Sequence, residues 1–465
     1  MKRLSIFLIV VFIIVGIIGC DDGSTEELIP DDNLEAVVRE TIDKPTGDIY
    51  PSDLAGLTEL CAVSEDISDI TGLEHCISLW ILELSDNQIS DISPLANLTG
   101  LVFLSLGGNK ISDISPLANL TGLEVLHLEF NQVSDISPLA YLTSLAHLIL
   151  FDNQISDISP LANLTNLRYL DLANNQISDI SPLANLTNLE ALYLDSNQVS
   201  GISSLTNLTS LTNLNLGYNQ IDDISPLANL TSMEYLRLGS NQLSDISPLT
   251  NLTDLTSLHL DSNQISDILA LTNLTDLRNL YVDDNQISDI SLAANITSLR
   301  ELGLSNNQIG DISPLANLTS LRKLDLGSNQ LGNISPTANL TSLLYLSLDS
   351  NQIIDISPLS SLTDLRGLTL HNNQISDISP TANLTSLGWL NLNDNQVSDI
   401  WPLTDLTSLY RLYLNSNQIS DIAPLVENEG LGEWDEVYLA DNPLSDDSIN
   451  IYIPQLEARG VTVDY

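Results

Sequence analysis

The sequence predicts an α/β solenoid, a curved horseshoe whose parallel β-sheet lines the concave face and whose convex face carries short 3-10 or helical turns. Three observations predict it. Asparagine recurs every 22 residues at sixteen places from Asn87 onward, without an insertion, and such regularity indicates stacked structural units. Leu82 and Leu84 alternate with outward positions as a half-exposed strand requires. The pair Ser93 and Pro94 then suits the start of a helical turn.

Each 22-residue unit, here called a coil, reads LxxLxLxxNxIxxIxxLxxLxx when Leu79 is its first residue. This is the leucine-rich-repeat pattern in its 22-residue form. The consensus leucines and isoleucines are expected to point inward, whereas intervening residues such as Ile81 and Glu83 point outward. Asn87 and its equivalents carry an amide that both donates and accepts hydrogen bonds. Stacked, these amides should form a ladder that satisfies backbone groups of the turn.

The first 20 residues predict a signal peptide. Lys2 and Arg3 precede an apolar run at 4–18, and Gly19 and Cys20 follow it, as in secretory signals. The ending IIGC resembles the bacterial lipobox, in which the cysteine is lipidated, so we expect Cys20 to anchor an exported lipoprotein on the cell surface or the periplasmic face. An uncleaved membrane anchor is the alternative, but the run is shorter than the roughly 20 apolar residues that a spanning helix needs.

The rest of the chain divides into a linker at 21–30, a helical N-terminal cap at 31–56, a repeat array at 57–430 and a C-terminal cap at 431–465. The array opens with a degenerate repeat at 57–78, in which Glu65 replaces the ladder asparagine, and continues with 16 regular repeats. A long array whose units contact only their neighbours forms one domain. The N-terminal cap is predicted as a helix because its apolar residues share one face, namely Leu34, Val37, Val38 and Ile42.

The C-terminal cap is predicted as a helix started or interrupted by Pro454, a stop at Gly460 and a last strand. Two cysteines precede the regular repeats. Aligned on the 22-residue period, Cys76 falls on a buried leucine column and Cys61 on an outward strand position. We therefore expect no disulfide between them.

The composition argues against several classes of function. A formal net charge of −47 disfavours nucleic-acid binding, which depends on Lys and Arg contacts to phosphates, and it keeps an exposed array soluble. No Ser/His/Asp set, phosphate loop or CxxC motif stands out, so we expect a non-enzymatic protein without a cofactor.

A metal site is also not expected. His127, Glu129 and His147 fall on adjacent predicted strands, but they lack fixed ligand spacing and a third strong ligand for zinc. An aspartate column represented by Asp91 has two open interpretations. It binds calcium, as clustered carboxylates can, or it caps the turns, which is the interpretation we favour.

The outward positions in and beside the strands carry the variation between repeats. They hold 14 of the 22 aromatic residues, and Tyr, Trp and Arg dominate binding hot spots. The alternative is drift at unconstrained positions, since strands favour aromatics anyway. The residues predicted to bind a ligand on the concave face are Phe103, His127, Phe130, His147, Phe151, Tyr169, Tyr193, Tyr218, Tyr235, Arg237, Arg278, Tyr281, Arg300, Arg322, Tyr345, Trp389 and Tyr413.

Two subsets of the outward residues fall on successive coils. The first should form an exposed apolar patch, made of Phe103, Val125, Phe130, Ile149, Phe151, Tyr169 and Tyr193. The second is a column of Arg278, Arg300 and Arg322, on strands about 4.8 Å apart, which suits an anionic partner. The alternative is that nearby carboxylates neutralise the column, those of Asp283, Glu301 and Asp325.

The repeat text LxxLxLxxNQISDISPLANLT and the lead-in IPDDNLEAVVRETIDKPTGDI resemble the internalin-like leucine-rich-repeat proteins of bacteria. The resemblance implies the solenoid fold and a concave face that binds proteins. Internalins also carry an immunoglobulin-like module and commonly a cell-wall anchor, which the sequence up to Tyr465 does not contain. Lipid on Cys20 is the expected attachment, and host-cell adhesion is not carried over.

The predicted function is therefore protein–protein interaction at the bacterial envelope, in adhesion or recognition. Two alternatives stay open. The aromatic residues could bind an extracellular or cell-wall polysaccharide, since exposed aromatic rings stack on sugars. The chain could also be a passive envelope spacer with no ligand.

Overall fold

The computed structural model describes residues 27–465, so the predicted signal peptide and Cys20 lie outside the described residues. Within this range, 19 short strands form one parallel sheet. Each strand pairs with the next strand along the chain, and corresponding coil positions face each other, as Leu82 faces Leu104. The first and last described strands each have one neighbour, so the sheet is open. The predicted α/β solenoid is confirmed.

The strands are β1 (Glu59–Cys61), β2 (Ile81–Glu83), β3 (Phe103–Ser105), β4 (Val125–His127), β5 (His147–Ile149), β6 (Tyr169–Asp171), β7 (Ala191–Tyr193), β8 (Asn213–Asn215), β9 (Tyr235–Arg237), β10 (Ser257–His259), β11 (Asn279–Tyr281), β12 (Glu301–Gly303), β13 (Lys323–Asp325), β14 (Tyr345–Ser347), β15 (Gly367–Thr369), β16 (Trp389–Asn391), β17 (Arg411–Tyr413), β18 (Glu436–Tyr438) and β19 (Thr462–Asp464). Three short α-helices belong to the caps, namely α1 (Asp32–Thr41), α2 (Pro51–Leu54) and α4 (Ile453–Glu457), and α3 (Ala423–Glu427) lies in the last repeat.

Short 3-10 turns lie opposite the sheet, one in each coil from β1 to β16. Their bounds are Leu73–His75, Ser93–Leu95, Ser115–Asn119, Ser137–Tyr141, Ser159–Asn163, Ser181–Asn185, Ser203–Asn207, Ser225–Leu227, Ser247–Asn251, Leu269–Asn273, Ser291–Asn295, Ser313–Asn317, Ser335–Asn339, Ser357–Ser361, Ser379–Asn383 and Trp401–Leu403. The core fills the space between sheet and turns.

The core is a single continuous cluster that follows the coil period. In one coil, Leu79, Leu82, Leu84, Ile89 and Ile92 are all at most 1% exposed. Each such side chain contributes about 1.5–3 kcal/mol when fully buried. Because it packs against the equivalent residues of the coils before and after it, a coil is stable only within the stack.

The predicted asparagine ladder is confirmed, and Asn241 shows its geometry. Its Oδ1 accepts the backbone N–H of Ile221, one coil earlier, at 2.9 Å. Its Nδ2 donates to the carbonyl of Leu216 in that earlier coil at 2.9 Å and to that of Leu238 in its own coil at 3.1 Å. One buried amide thus joins two coils and satisfies backbone groups in both.

Most 3-10 turns are capped by the aspartate that the sequence favoured, and the serine that was also predicted as a cap does not take this role. The turn begins at Ser93, but the capping side chain belongs to Asp91, whose Oδ1 accepts the N–H of Ser93 at 2.8 Å and whose Oδ2 accepts its hydroxyl at 3.0 Å. Asn333 takes the same role for Ser335 at 2.9 Å. A carboxylate cap forms charge-assisted bonds, which are stronger than those of a serine hydroxyl. The aspartate column therefore caps the turns.

The N-terminal cap closes the first coil through Asp31. This residue precedes α1, and its Oδ1 accepts the N–H of Leu34 at 3.1 Å. Its Oδ2 accepts the N–H of Ser68, in the first coil, at 2.9 Å. Leu34 and Val38 are fully buried, as the predicted apolar face requires. One carboxylate thus caps the helix and fixes it to the array.

The C-terminal cap contains the predicted helix, stop and strand. A π-helical turn at Ser448–Tyr452 leads into α4, which has Pro454 as its second residue. Gly460 has a φ of 89°, which ends the helix, and β19 follows. The Arg459 guanidinium donates to the carbonyl of Asn428 at 2.9 Å. This contact ties the final helix back to the chain just after α3.

Cys61 is exposed and Cys76 is buried, and both are free thiols. Burial and the neighbouring Glu74 raise the pKa of Cys76 to about 12, so its thiol stays protonated. Among residues 27–465, no helix is long and apolar enough to span a bilayer.

Candidate functional site

The residues predicted to bind a ligand all lie on the sheet face opposite the core or at its edges. Most sit in the strands, at the two outward positions that flank a buried leucine. Phe130, Phe151 and Tyr218 lie in the turn after a strand. The three arginines Arg278, Arg300 and Arg322 lie immediately before β11, β12 and β13. The face therefore has an aromatic middle and a basic stretch at one edge.

Five rings on neighbouring strands form what we call the aromatic strip, namely Phe103, His127, His147, Tyr169 and Tyr193. Successive ring centroids are 5.5, 5.3, 4.2 and 5.4 Å apart along β3 to β7. The His147 and Tyr169 rings are stacked, with an interplanar angle of 3°. The predicted apolar patch included Val125 and Ile149, but the continuous ring contacts run through the two histidines.

The histidines of the strip are packed as neutral rings. Burial lowers the pKa of His127, although the Glu83 carboxylate partly opposes this. Burial and the neighbouring His127 lower the pKa of His147. Burial and the Asp171 carboxylate raise the pKa of Tyr169 to about 12. At neutral pH the strip is therefore uncharged and can be desolvated without moving a proton.

Phe130 and Tyr218 hold a backbone conformation that their side chains disfavour. Both occupy the first turn position after the outward residues, with φ of 53°. Other coils place Gly, Asn, Asp or Ser there, for example Asn174. The left-handed region costs roughly 1–2 kcal/mol for residues with a Cβ and is most unusual for bulky ones. Phe130 packs edge-on against Phe151 at 4.8 Å, whereas the Tyr218 side chain is 66% exposed.

Half-buried carboxylates lie beside the strip. Burial raises the pKa of Asp171 to about 6, an effect opposed by the N–H of Ala173 and reinforced by the carboxylates of Asp195, Glu129 and Asp152. Asp171 faces Tyr193 in the sheet register. Ionised Asp171 is therefore a source of instability under the strip at neutral pH.

We expect Asp171→Asn to stabilise the fold at pH 7 and to have little effect at pH 4. The folded pKa of about 6 lies above the ordinary value of 3.8, so as pH rises the unfolded chain loses its proton first. The free energy of unfolding falls between pH 4 and pH 6 and then levels off, by up to about 3 kcal/mol at 1.36 kcal/mol per pKa unit. Asparagine keeps the acceptor for Ala173 and has no charge to desolvate.

Urea unfolding at both pH values measures this difference. Asp405→Asn is the matched control, since it removes the same charge from an exposed residue. An equal gain from both variants at pH 7 would attribute the effect to net charge and contradict the role of burial.

A second aromatic group lies beyond a polar break. Asn213 and Asn215 occupy the outward positions of β8, and the contacts then resume through Tyr235, His259 and Tyr281, with centroids 5.7 and 4.6 Å apart. His259 was absent from the predicted set, although its outward strand position could have identified it. Burial, reinforced by Arg237, lowers its pKa to about 4.

The remaining predicted aromatics lie towards the C-terminal end. Tyr345 and Trp389 flank Gly367 in one register row across β14, β15 and β16. A Cβ on Gly367 would lie 3.0 Å from the Tyr345 ring and 3.2 Å from the Trp389 ring, so both rings lean over the glycine. Tyr413 stacks on Tyr438 at 4.7 Å.

The three predicted arginines line a groove of about 760 Å³ at the edge of the sheet. We call it the arginine groove, and its wall also contains Ser298, Thr319, Ser320, Ser342, Leu344 and Asp364. The carboxylates that could neutralise the three arginines accept hydrogen bonds from other residues. Asp283 accepts from Ser305, Asp325 from the N–H of Gly327 and Glu301 from the Tyr281 hydroxyl.

The considered zinc ligands are near one another, with the His127 and His147 rings 5.3 Å apart. In the described part of the chain, no group of three or more His, Cys, Asp or Glu side chains has the geometry to hold a metal ion.

A curved sheet, with a recurring apolar core on one face and varied side chains on the other, defines a repeat scaffold for binding. The chain belongs to the leucine-rich-repeat family. The family model described as "Leucine Rich repeats (2 copies)" matches residues 77–119, 99–141, 143–185, 187–229, 231–273, 297–339 and 341–385. Such scaffolds are typical of protein–protein recognition domains and are generally non-enzymatic. No curated protein matches the chain.

Solved structures agree with this assignment. An internalin (InlF) from Listeria monocytogenes is 35% identical over 85% of this chain and 96% of its own, with a TM-score of 0.51. A leucine-rich-repeat protein from Leptospira interrogans is 25% identical over 81% and 99%, with a TM-score of 0.73. A plant receptor kinase ectodomain from Arabidopsis thaliana, solved in complex with CASPARIAN STRIP INTEGRITY FACTOR 2, is 23% identical over 89% and 56%, with a TM-score of 0.70. This last likeness shows the fold alone.

Proposed function

We propose that this chain is a non-enzymatic recognition protein of the bacterial cell envelope, exported and held by lipid on Cys20, which binds a protein partner on its concave face. The observation that carries the proposal is the aromatic strip. Its five rings are in continuous contact over β3 to β7. Large aromatic side chains at the centre of an interface dominate binding energies, and a strip fixed on a rigid sheet loses little conformational entropy on binding.

The backbone of Phe130 and Tyr218 supports selection for binding over drift. Drift at this turn position would favour the residues that tolerate a φ of 53°, since an exposed aromatic there has no compensating core contact. Strained backbone that persists is concentrated at functional sites. Tyr218 in particular is 66% exposed, so the fold itself gains little from its ring. The relative from Listeria monocytogenes, an internalin, further supports a surface role.

The test uses soluble protein spanning residues 21–465 as bait against bacterial envelope and culture extracts. The variant carries Phe103→Ala, Phe151→Ala, Tyr169→Ala and Tyr193→Ala. The control carries Tyr141→Ala and Trp401→Ala, exposed aromatics on the 3-10 turns. We expect the parent and the control to capture the same protein and the variant to lose it. With the purified partner, Kd should rise at least 100-fold, which corresponds to about 3 kcal/mol of hot-spot energy.

Tyr218→Asn provides an independent check with opposite signs for stability and binding. Asparagine relieves the left-handed strain, so we expect the free energy of unfolding to rise by about 1 kcal/mol while partner affinity falls. All proteins must first give the same circular dichroism spectrum. Equal binding by the parent and both concave variants would contradict the proposal and place the binding surface elsewhere on the chain. Capture of no partner by the parent would favour a passive spacer.

A further inference from the structure

The arginine groove lies apart from the aromatic strip and does not share its chemistry. The strip covers β3 to β7, whereas the groove begins at the strand entry of β11. Arg278, Arg300 and Arg322 occupy the same coil position, and Arg366 occupies it again two coils after Arg322. Four of the 14 Lys and Arg residues of the chain thus stand in one row. Leu344 holds the same coil position between Arg322 and Arg366.

These guanidinium groups are free to bind. Within residues 27–465, the paired arginines are Arg39, Arg168 and Arg411, and none of the four in the row makes an ion pair or a side-chain hydrogen bond. Arg278, Arg300 and Arg322 are exposed. An arginine offers a planar set of donors that matches carboxylate and sulfate oxygens in a bidentate manner. The row therefore presents unsatisfied anion-binding groups.

The overall negative charge does not cancel this attraction at physiological ionic strength. Charges more than about 8 Å away are largely screened at 0.15 M salt. The carboxylates of Asp283, Asp325 and Glu301 accept hydrogen bonds from Ser305, Gly327 and Tyr281. Asp364 is the one acidic residue that lines the groove, and it lies two residues before Arg366, at the far end from Arg278. An anion in the groove would experience mainly the arginines.

The spacing and the lining indicate the class of ligand. Successive strands are about 4.8 Å apart, whereas same-side residues of an extended peptide recur at about 6.8 Å, so acidic peptide side chains would fall out of step with the row. A linear polysaccharide with an acidic group on every sugar repeats its charge at close to the strand spacing. The exposed hydroxyls of Thr319, Ser320 and Ser342 suit sugar hydroxyls.

The row continues into an aromatic cleft. Arg366 lines a cleft of about 340 Å³ together with Tyr345, Gly367 and Trp389. The two rings lean over the bare glycine from either side, and the Tyr345 ring is 48% exposed. Aromatic faces of this kind stack on sugar rings. We propose that the arginine groove and this cleft bind a linear polysaccharide with a carboxylate or a sulfate on successive sugars, along the axis of the solenoid.

Calorimetric titration of the full chain in a non-ionic detergent tests this proposal, with polygalacturonate, dextran sulfate, neutral dextran and poly-L-glutamate as probes. We expect polygalacturonate or dextran sulfate to bind at 0.15 M salt and to be released at 1 M, and neutral dextran not to bind. Comparison of the first two probes distinguishes carboxylate from sulfate. Arg278→Gln, Arg300→Gln and Arg322→Gln together should weaken binding at least tenfold.

The control variant removes equal charge elsewhere, through Lys44→Gln, Lys110→Gln and Arg168→Gln, and its affinity should change less than twofold. Equal losses in both variants, or no binding of either charged polysaccharide, would overturn the proposal. So would poly-L-glutamate binding as tightly as the polysaccharides, which would assign the groove to an acidic protein segment. The aromatic strip is unchanged in every variant, so these experiments do not test its proposed protein partner. That partner is tested separately by the strip variants.

Discussion

Asn241→Ala is expected to lower the free energy of unfolding by about 4 kcal/mol and to divide the unfolding transition into two. The substitution removes the acceptor of the Ile221 N–H and the donor to Leu216 and Leu238. Asn241 is only 9% exposed, so water does not readily replace these bonds, and each buried unsatisfied group costs about 1–3 kcal/mol. Stability in a repeat array depends on neighbour interfaces, so a weakened central interface uncouples the two halves.

Guanidinium unfolding followed by circular dichroism measures this effect. Gln242→Ala is the control, because its side chain is exposed and only its backbone N–H bonds to Ile221. The control should unfold in one transition at the midpoint of the parent. A loss below about 1 kcal/mol for Asn241→Ala, within the range of ordinary surface substitutions, would mean that the ladder does not join the coils energetically.

Gly430→Ala is expected to destabilise the C-terminal cap by about 3 kcal/mol, the upper part of the usual range for overpacking. An added Cβ would lie 2.2 Å from the carbonyl oxygen of Thr407 and 2.4 Å from its Cα. Both are backbone atoms of the preceding coil and cannot rotate away. Relief of the clash requires the segment after α3 to separate from the array, which opens the core at Leu425.

Limited proteolysis and denaturant unfolding together detect this opening, since cleavage should move to the last 35 residues. Gly432→Ala is the matched control, because the nearest atom to its Cβ is the Arg459 carbonyl oxygen at 4.0 Å. It should be neutral, or slightly stabilising through reduced entropy of the unfolded chain. If the two alanines behave alike, the close approach to Thr407 does not limit stability.

The sequence predicted most of the fold because its 16 regular repeats can be aligned with one another. Leu82 and Leu84 alternate in the same way in each coil, which separates core positions from surface positions without other proteins. The ladder role of the asparagines followed for the same reason. The capping role of Asp91 was predicted beside a capping role of Ser93, since an aspartate and a serine two residues apart are both good caps. Only the hydrogen-bond geometry decided between them.

The sequence predicted which residues lie on the outward face of the sheet, but it did not predict which of their side chains contact one another. Alternation placed Tyr169 and His147 on the outward face, yet their stacking at 4.2 Å depends on rotamers that the sequence does not specify. The strain at Phe130 and Tyr218 had a signal in the sequence, because other coils place Gly, Asn, Asp or Ser at this position and these residues favour turns. Arg300 and Glu301 have long flexible side chains, so the sequence does not specify their hydrogen-bond partners. In the structure, the Glu301 carboxylate accepts a hydrogen bond from the Tyr281 hydroxyl.

The hydrogen bonds of the asparagine ladder join only adjacent coils, so the number of coils sets the distance between two surfaces of the array. The coils that contain β8, β9 and β10 lie between the aromatic strip and the arginine groove. Each of these coils has the same length of 22 residues. Gain or loss of one whole unit there would move the two surfaces by one strand spacing, about 4.8 Å, while leaving both intact. For a ligand that contacts both surfaces, the number of coils sets the distance between its two binding sites. This distance can change in fixed steps while the residues of both surfaces stay the same.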